Sequence, residues 1–172
     1  MVLAADAAGL IGAWFDGEKH FRGPGSDWIQ DDAHPLLDEA AVQMRDWFAG
    51  RRRDFDLPLA PHGSDFQQAV WRQIATVGWG RTRSYGEVAR AIGRPSASRA
   101  VGAATGRNPL TIIVPCHRLL GGSGALTGYA GGLERKRALL AFEAGAPALW
   151  TSVADDADVA GVAGVADAEV EA

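Results

Sequence analysis

The chain has 172 residues, 47% hydrophobic and 22% charged. That is enough apolar material for the core of one domain or two small ones, which excludes wholesale disorder. No run approaches the roughly 20 apolar residues of a membrane helix, and the N-terminus lacks the basic-then-apolar pattern of a signal peptide, so a cytoplasmic protein without a membrane partner is expected. The single cysteine, Cys116, excludes an internal disulfide framework and a multi-cysteine zinc site. It leaves one thiol that is either inert core or a reactive group.

The formal net charge of −4 is unevenly spread. Residues 151–172 hold Asp155, Asp156, Asp158, Asp167, Glu169 and Glu171 and no Lys or Arg. Without those six acids the chain carries 17 basic and 15 acidic residues. Between Arg81 and Arg137 there are ten basic residues, opposed only by Glu87 and Glu134. Such a stretch is either a solvated face or an electrostatic footprint for a polyanion.

In chain order, residues 2–16 read as β-structure, with Gly9 marking a hairpin turn between two apolar runs. Across residues 34–50 the apolar positions Leu36, Leu37, Ala40, Ala41, Met44, Trp47 and Phe48 recur at helical spacing. Pro35 suits the first helical turn and Gly50 the stop. Residues 51–61 form a proline-bearing connector with one short extended piece. A small N-terminal α/β domain over 1–61 is therefore expected.

The second half opens with a capping box, Ser64 to Gln67, ahead of a helix. A second box, Ser84 to Glu87, precedes another helix that ends at Gly93–Pro95. Ser96 is expected to cap a third, which stops near Gly106. Short helices with tight connections are the pattern of a helix-turn-helix. The third helix is nearly free of side-chain bulk at Ala97, Ser98, Ala100, Gly102, Ala103 and Ala104, and its one long polar residue is Arg99. Such a helix either packs in a crowded core or lets backbone approach a narrow surface such as the minor groove. An apolar strand over 108–114 leads to Pro115, then Cys116-His117-Arg118, a glycine-rich loop at 121–124, Tyr129-Ala130-Gly131-Gly132 and a last helix over 133–143. Leu133, Ala138, Leu139, Leu140 and Phe142 are its apolar positions. The alkyl-rich, cap-free and acidic tail over 151–172 reads as disordered, which leaves 62–150 as the second domain.

A thiol is a useful nucleophile only as a thiolate, so it needs a base. His117 is adjacent to Cys116, and a bend after Pro115 or a water bridge would allow proton transfer. The imidazole needs a third group to set its tautomer. Glu143 ends an otherwise apolar segment, where an unpaired carboxylate is costly. On these residues alone, a core cysteine beside an incidental histidine and a reactive Cys/His/Glu group both remain open.

The octapeptide IIVPCHRL at 112–119 resembles the active-site signature of the O6-alkylguanine-DNA alkyltransferases. SYGEVA, RAVGAATGRNP, TGYAGGLERK and LLAFE follow the same family's order and spacing. The resemblance is strong over 64–145. Before that it rests on GLIGAWF and the helix at 34–50. It implies an α+β fold: a small sheet-plus-helix domain, then a helical, winged-helix-like domain with a helix-turn-helix. It also implies a monomer without metal or cofactor whose partner is double-stranded DNA, contacted in the minor groove.

The implied activity is stoichiometric, irreversible transfer of an alkyl group from O6 of guanine, and from O4 of thymine, to Cys116. By the same resemblance His117 deprotonates Cys116 through a water, Glu143 holds the imidazolium, and Asn108 orients the active-site turn. Tyr85 donates a proton towards N3 of the flipped base. Tyr129 lines the base pocket and Lys136 supports its loop. Arg99 fills the gap left by the extruded nucleotide, and the helix carrying Ser98, Ala100 and Gly102 enters the minor groove. A buried base must be flipped out before its O6 substituent can be reached, at a cost of a few kcal/mol.

Three features depart from the family pattern. Ala130 stands where a serine is common, Leu119-Leu120 where a slimmer residue is frequent, and the first strand of the N-terminal sheet is expected to be clipped. A module that recognises alkylated DNA without transfer, and a cysteine hydrolase, are the competing functions. Cys116 and the basic stretch favour transfer.

Overall fold

The computed structural model describes residues 1–148 and 163–165. Strands β1 (Val2–Asp6) and β2 (Gly9–Trp14) form an antiparallel hairpin with Leu3 opposite Ala13. The turn falls one residue earlier than Gly9, at Ala7 and Ala8. The Asp6 carboxylate fixes it by accepting hydrogen bonds from the amides of Ala8 (2.8 Å) and Gly9 (3.2 Å). Gly9 has a different task. Its φ is 148°, and a Cβ there would lie 2.5 Å from the Pro58 carbonyl oxygen, so only glycine admits this close approach.

The free edge of β2 takes two guests. Leu10 donates to Pro58 O at 2.8 Å and Ala60 donates back to Leu10 O at 2.9 Å. Further along, Ala13 donates to Pro109 O (2.8 Å) and Thr111 donates to Ala13 O (2.9 Å). The N-terminal hairpin is thus hydrogen-bonded to the segment just ahead of Cys116.

Helix α1 (Pro35–Phe48) buries Leu37, Ala40, Met44 and Trp47 against the hairpin. Helices α2 (Asp65–Ala75) and α3 (Tyr85–Ala91) start at the two expected capping boxes, both formed reciprocally. Helix α4 (Ser98–Thr105) does not start as expected. Its N-cap is Ala97, with no side-chain hydrogen bond, so Ser96 is not the cap. Helices α2, α3 and α4 pack on one another as a helix-turn-helix, and Trp71 Nε1 donates to Ala104 O at 2.9 Å.

Two-residue strands β3 (Arg83–Ser84) and β4 (Leu119–Leu120) pair in parallel. Helix α5 (Leu133–Glu143) closes the fold. Strand β5 (Ala163–Val165) runs parallel to β1; the rest of the tail expected to be disordered lies outside the described residues. One buried cluster runs from Leu3, Leu10 and Trp47 through Val70, Ile74 and Val101 to Leu119 and Leu139, across the boundary expected near residue 61. The architecture is α+β. Among the described residues no helix is long and apolar enough to cross a membrane.

The apolar run before Pro115 is not the expected strand. Residues 109–111 lie beside β2 and the chain then folds back, with Val114 donating to Leu110 O at 2.8 Å. The reversal places Ile112 at φ 73°, a costly conformation for a β-branched residue. Pairing to β2 and complete burial of Leu110 and Thr111 hold it there.

Candidate active site

Cys116, His117 and Arg118 form a single 3-10 turn, and all three are buried. In a strand, adjacent side chains would point to opposite faces. The tight turn instead directs the thiol to a pocket and the imidazole and guanidinium to the carboxylate of α5. His117 Nε2 lies 2.9 Å from Glu143 Oε1. Arg118 grips the same carboxylate through Nε (3.0 and 2.9 Å) and Nη2 (2.8 Å), and its Nη1 donates to Val77 O. The amide of Gly80 adds a further bond at 3.1 Å.

Burial by itself would raise the Glu143 pKa, but the hydrogen bonds from His117 and Arg118 outweigh it and hold the carboxyl at about 2. Burial lowers the His117 pKa, against the pull of Glu143. A neutral imidazole with Nε2–H committed to an ionised carboxylate has its lone pair on Nδ1. That atom is buried and has no hydrogen-bond partner among the described residues.

Cys116 is 3% exposed, and burial pushes its thiol up to about 12. Asn108 opposes this shift: its Nδ2 lies 3.2 Å from Sγ and also donates to Val114 O at 2.8 Å, while its Oδ1 accepts from the Leu110 amide at 3.1 Å. One buried amide side chain thereby clamps both ends of the reversal and the thiol.

The thiol opens onto a pocket of about 440 Å³. Tyr85 and the loop residues Thr127, Gly128, Tyr129 and Ala130 line one side, and Gly102, Ala103 and Gly106 of the α4 region line another. The hydroxyl of Tyr85 donates to Thr127 O (3.1 Å) and Gly128 O (3.3 Å). Lys136 Nζ donates to Leu119 O, to Thr127 O at 2.8 Å and to Gly128 O at 3.3 Å. Burial lowers this lysine to about 8. The Tyr129 hydroxyl is buried and lacks a partner among the described residues.

Cys116 with Asn108 and His117 with Glu143 are therefore two hydrogen-bonded pairs joined by one turn, Tyr85 and Tyr129 line the pocket, and Lys136 holds its loop. Arg99, Ser98 and Ala100 are exposed along α4 and do not line the pocket, whereas Gly102 does. The ten-residue basic stretch needs a correction. Arg118 and Lys136 are buried in the site, and only the others face solvent to any extent.

Two participants escaped the sequence analysis. Arg118 reads as part of the basic stretch, although a glutamate ending an apolar helix needs more than a neutral histidine as partner. Glu18 is 3% exposed, and accepts from Thr111 Oγ1 (2.8 Å) and the Phe15 amide (3.0 Å). No local signal marks it.

The family model for the DNA-binding domain of 6-O-methylguanine DNA methyltransferase matches residues 65–145. The chain is 46% identical over 144 residues to the methylated-DNA–protein-cysteine methyltransferase of Methanosarcina acetivorans, covering 83% of this chain and 90% of that one. It is 56% identical over 126 residues to the Mycobacterium bovis protein of the same name, covering 73% and 75%. The crystal structure of Mycobacterium tuberculosis OGT in complex with DNA superimposes with a TM-score of 0.70 at 43% identity, over 82% of this chain and 84% of that one. The R37L variant of the M. tuberculosis O6-methylguanine methyltransferase gives 0.72 at 42% identity, over 86% and 94%. Identity at this level, along nearly the whole length of such a relative and with the same fold, places the chain in the methylated-DNA–protein-cysteine methyltransferase family, whose work is DNA repair by alkyl transfer.

Proposed function

We propose that Cys116 is the alkyl acceptor and that it takes the alkyl group from O6 of a guanine flipped out of duplex DNA. The supporting observation is the Cys116 thiol at the floor of a pocket, held by Asn108, in one turn with a histidine whose other nitrogen is tied to Glu143.

His117 Nδ1 receives the thiol proton through a bridging water, and Glu143 with Arg118 stabilises the imidazolium that forms. The sulfur attacks the alkyl carbon in line. The S–C bond forms as the C–O6 bond breaks, and the electron pair passes into the purine ring. Tyr85 gives its proton to N3, so guanine departs neutral. To do this its hydroxyl leaves the carbonyls of Thr127 and Gly128. Those carbonyls keep Lys136 as their partner, so the loop stays supported.

The exposed face of α4 carries Ser98, Arg99, Ala100 and Ala103. Short side chains there let the helix backbone sit deep in the minor groove, and Arg99 occupies the space of the flipped nucleotide. O4 of an alkylated thymine offers the same alkyl–oxygen bond and is a second substrate. A thioether is not a leaving group under these conditions and Cys116 is the only cysteine, so each molecule acts once.

The test is intact mass after mixing with a duplex that carries one O6-methylguanine. One added methyl, on the Cys116 peptide and saturating at one per protein, supports direct transfer. A bound but unmodified lesion favours recognition without transfer, and turnover with an unmodified thiol favours a hydrolase.

A further inference from the structure

The segment after β2 is fixed more firmly than a surface loop requires. It makes a turn in which Glu18 donates to Phe15 O (3.1 Å) and Phe21 to Glu18 O (3.0 Å). The Glu18 carboxylate nails this turn to Thr111 at 2.8 Å, beside the reversal that leads to Cys116. The Lys19 amide donates to Ala130 O at 3.1 Å, which joins the segment to the loop on the pocket's other side. Arg135 covers the Phe15 ring at 4.9 Å.

This anchoring presents two exposed basic side chains, Lys19 and His20, on the wall of the alkyl-acceptor pocket. Neither has a salt-bridge partner among the described residues. His20 Nε2 reaches across towards α4, 3.9 Å from where a Cβ on Gly106 would stand. The α4 part of the wall is small and uncharged, and the 127–130 part offers carbonyls already used by Tyr85 and Lys136. Among the described residues that line the pocket, the basic ones are these two of the N-terminal segment. A base that enters this pocket stays tethered to its sugar and flanking phosphates, which must come to rest at the mouth.

We propose that Lys19 and His20 bind a phosphate beside the flipped nucleotide, so that the N-terminal segment is part of the DNA-binding surface. This rests on the proposed function, because it requires a nucleotide in the pocket. A phosphate contact positions the strand and carries no sequence information.

The experiment is a cycle between protein and DNA, read by binding of the full chain with Cys116→Ala so that no transfer intervenes. Methylphosphonates replace single phosphates within two nucleotides of the lesion. Lys19→Met is expected to weaken binding several-fold and to lower the slope of log K against log salt by about 0.9. At one position the methylphosphonate weakens the parent by a similar factor and the Lys19→Met variant no further, and Lys19→Arg restores sensitivity there. His20→Gln behaves likewise at the same position. Multiplicative losses at every position, or unchanged binding by the Lys19→Met, His20→Gln double variant, overturn the proposal. If the wild-type chain gains a methyl group while the cycle is multiplicative, only this contact fails. If the cycle is non-multiplicative but no methyl is gained, the contact stands and the transfer reading fails.

Discussion

Glu143 Oε1 lies 2.9 Å from His117 Nε2 with both side chains fully buried. A carboxylate in such a place needs compensation, and the Arg118 fork supplies it. The result is an ion pair that serves a third residue. It commits Nε2–H of the imidazole and leaves Nδ1 as the acceptor for a proton from Cys116.

Glu143→Gln should leave the Arg118 guanidinium buried without its counter-charge. We expect a loss of about 3–5 kcal/mol at neutral pH, measured by urea unfolding. The pH dependence has a definite sign. The folded-state value, about 2, is below the ordinary 4.5, so the contribution is complete above pH 4.5 and disappears as pH falls towards 2. Wild type should lose stability across that window and the variant should lose less. Equal slopes would show that Glu143 is not the depressed group.

Cys116 is buried and its thiol is raised to about 12, so the resting protein holds a protonated sulfur. Iodoacetamide at pH 7 should label it at least about tenfold more slowly than an exposed cysteine. Transfer must then depend on the base. His117→Gln should slow single-turnover methyl transfer by about a hundred- to ten-thousand-fold, the usual span for lost general-base catalysis. A rate within threefold of wild type would remove His117 from the proton path.

Asn108 spends one amide on three partners: Leu110, Val114 and Cys116. Asn108→Ala leaves the buried Leu110 amide unpaired, which should cost about 1–3 kcal/mol in stability; the Val114 carbonyl keeps the Cys116 amide as a donor at 2.7 Å. It should also slow transfer, since the sulfur loses the Asn108 amide that opposes its upward pKa shift. A variant that is destabilised but transfers at the wild-type rate would limit Asn108 to a structural role.

Arg99 is exposed on α4 and outside the pocket. Arg99→Ala should therefore weaken repair of a duplex more than reaction with the free O6-methylguanine base. Equal losses on both substrates would contradict a role in holding the gap. Duplex binding by wild type should fall linearly in log K with log salt, as counterions are released from neutralised phosphates.

Much of the frame was legible in the sequence because its signals are local. The Ser64–Gln67 and Ser84–Glu87 boxes act within three residues, and both helices begin where they predict. Of the seven apolar positions that the α1 periodicity picks out, Leu37, Ala40, Met44 and Trp47 are buried, and Leu36, Ala41 and Phe48 are half-buried beside them. The same logic fails on α5. Its buried residues are Lys136, Leu139 and Glu143, while Leu133 is 43% exposed, so an apolar pattern is the wrong guide where a helix face lines a reactive site. It also fails before Pro115, where apolar, β-branched residues read as a strand. Pairing with β2 instead forces the reversal at Ile112.

The sequence by itself determined the starts of α2 and α3, the family and the cysteine–histidine turn, because caps and motifs are written in neighbouring positions. The tertiary structure decided which charges are buried and what they face. Arg118 meets Glu143 across 25 positions, and Glu18 meets Thr111 across 93. Burying a charge is favourable only when its partner arrives in the same packing event, and no local pattern records which distant residue that will be.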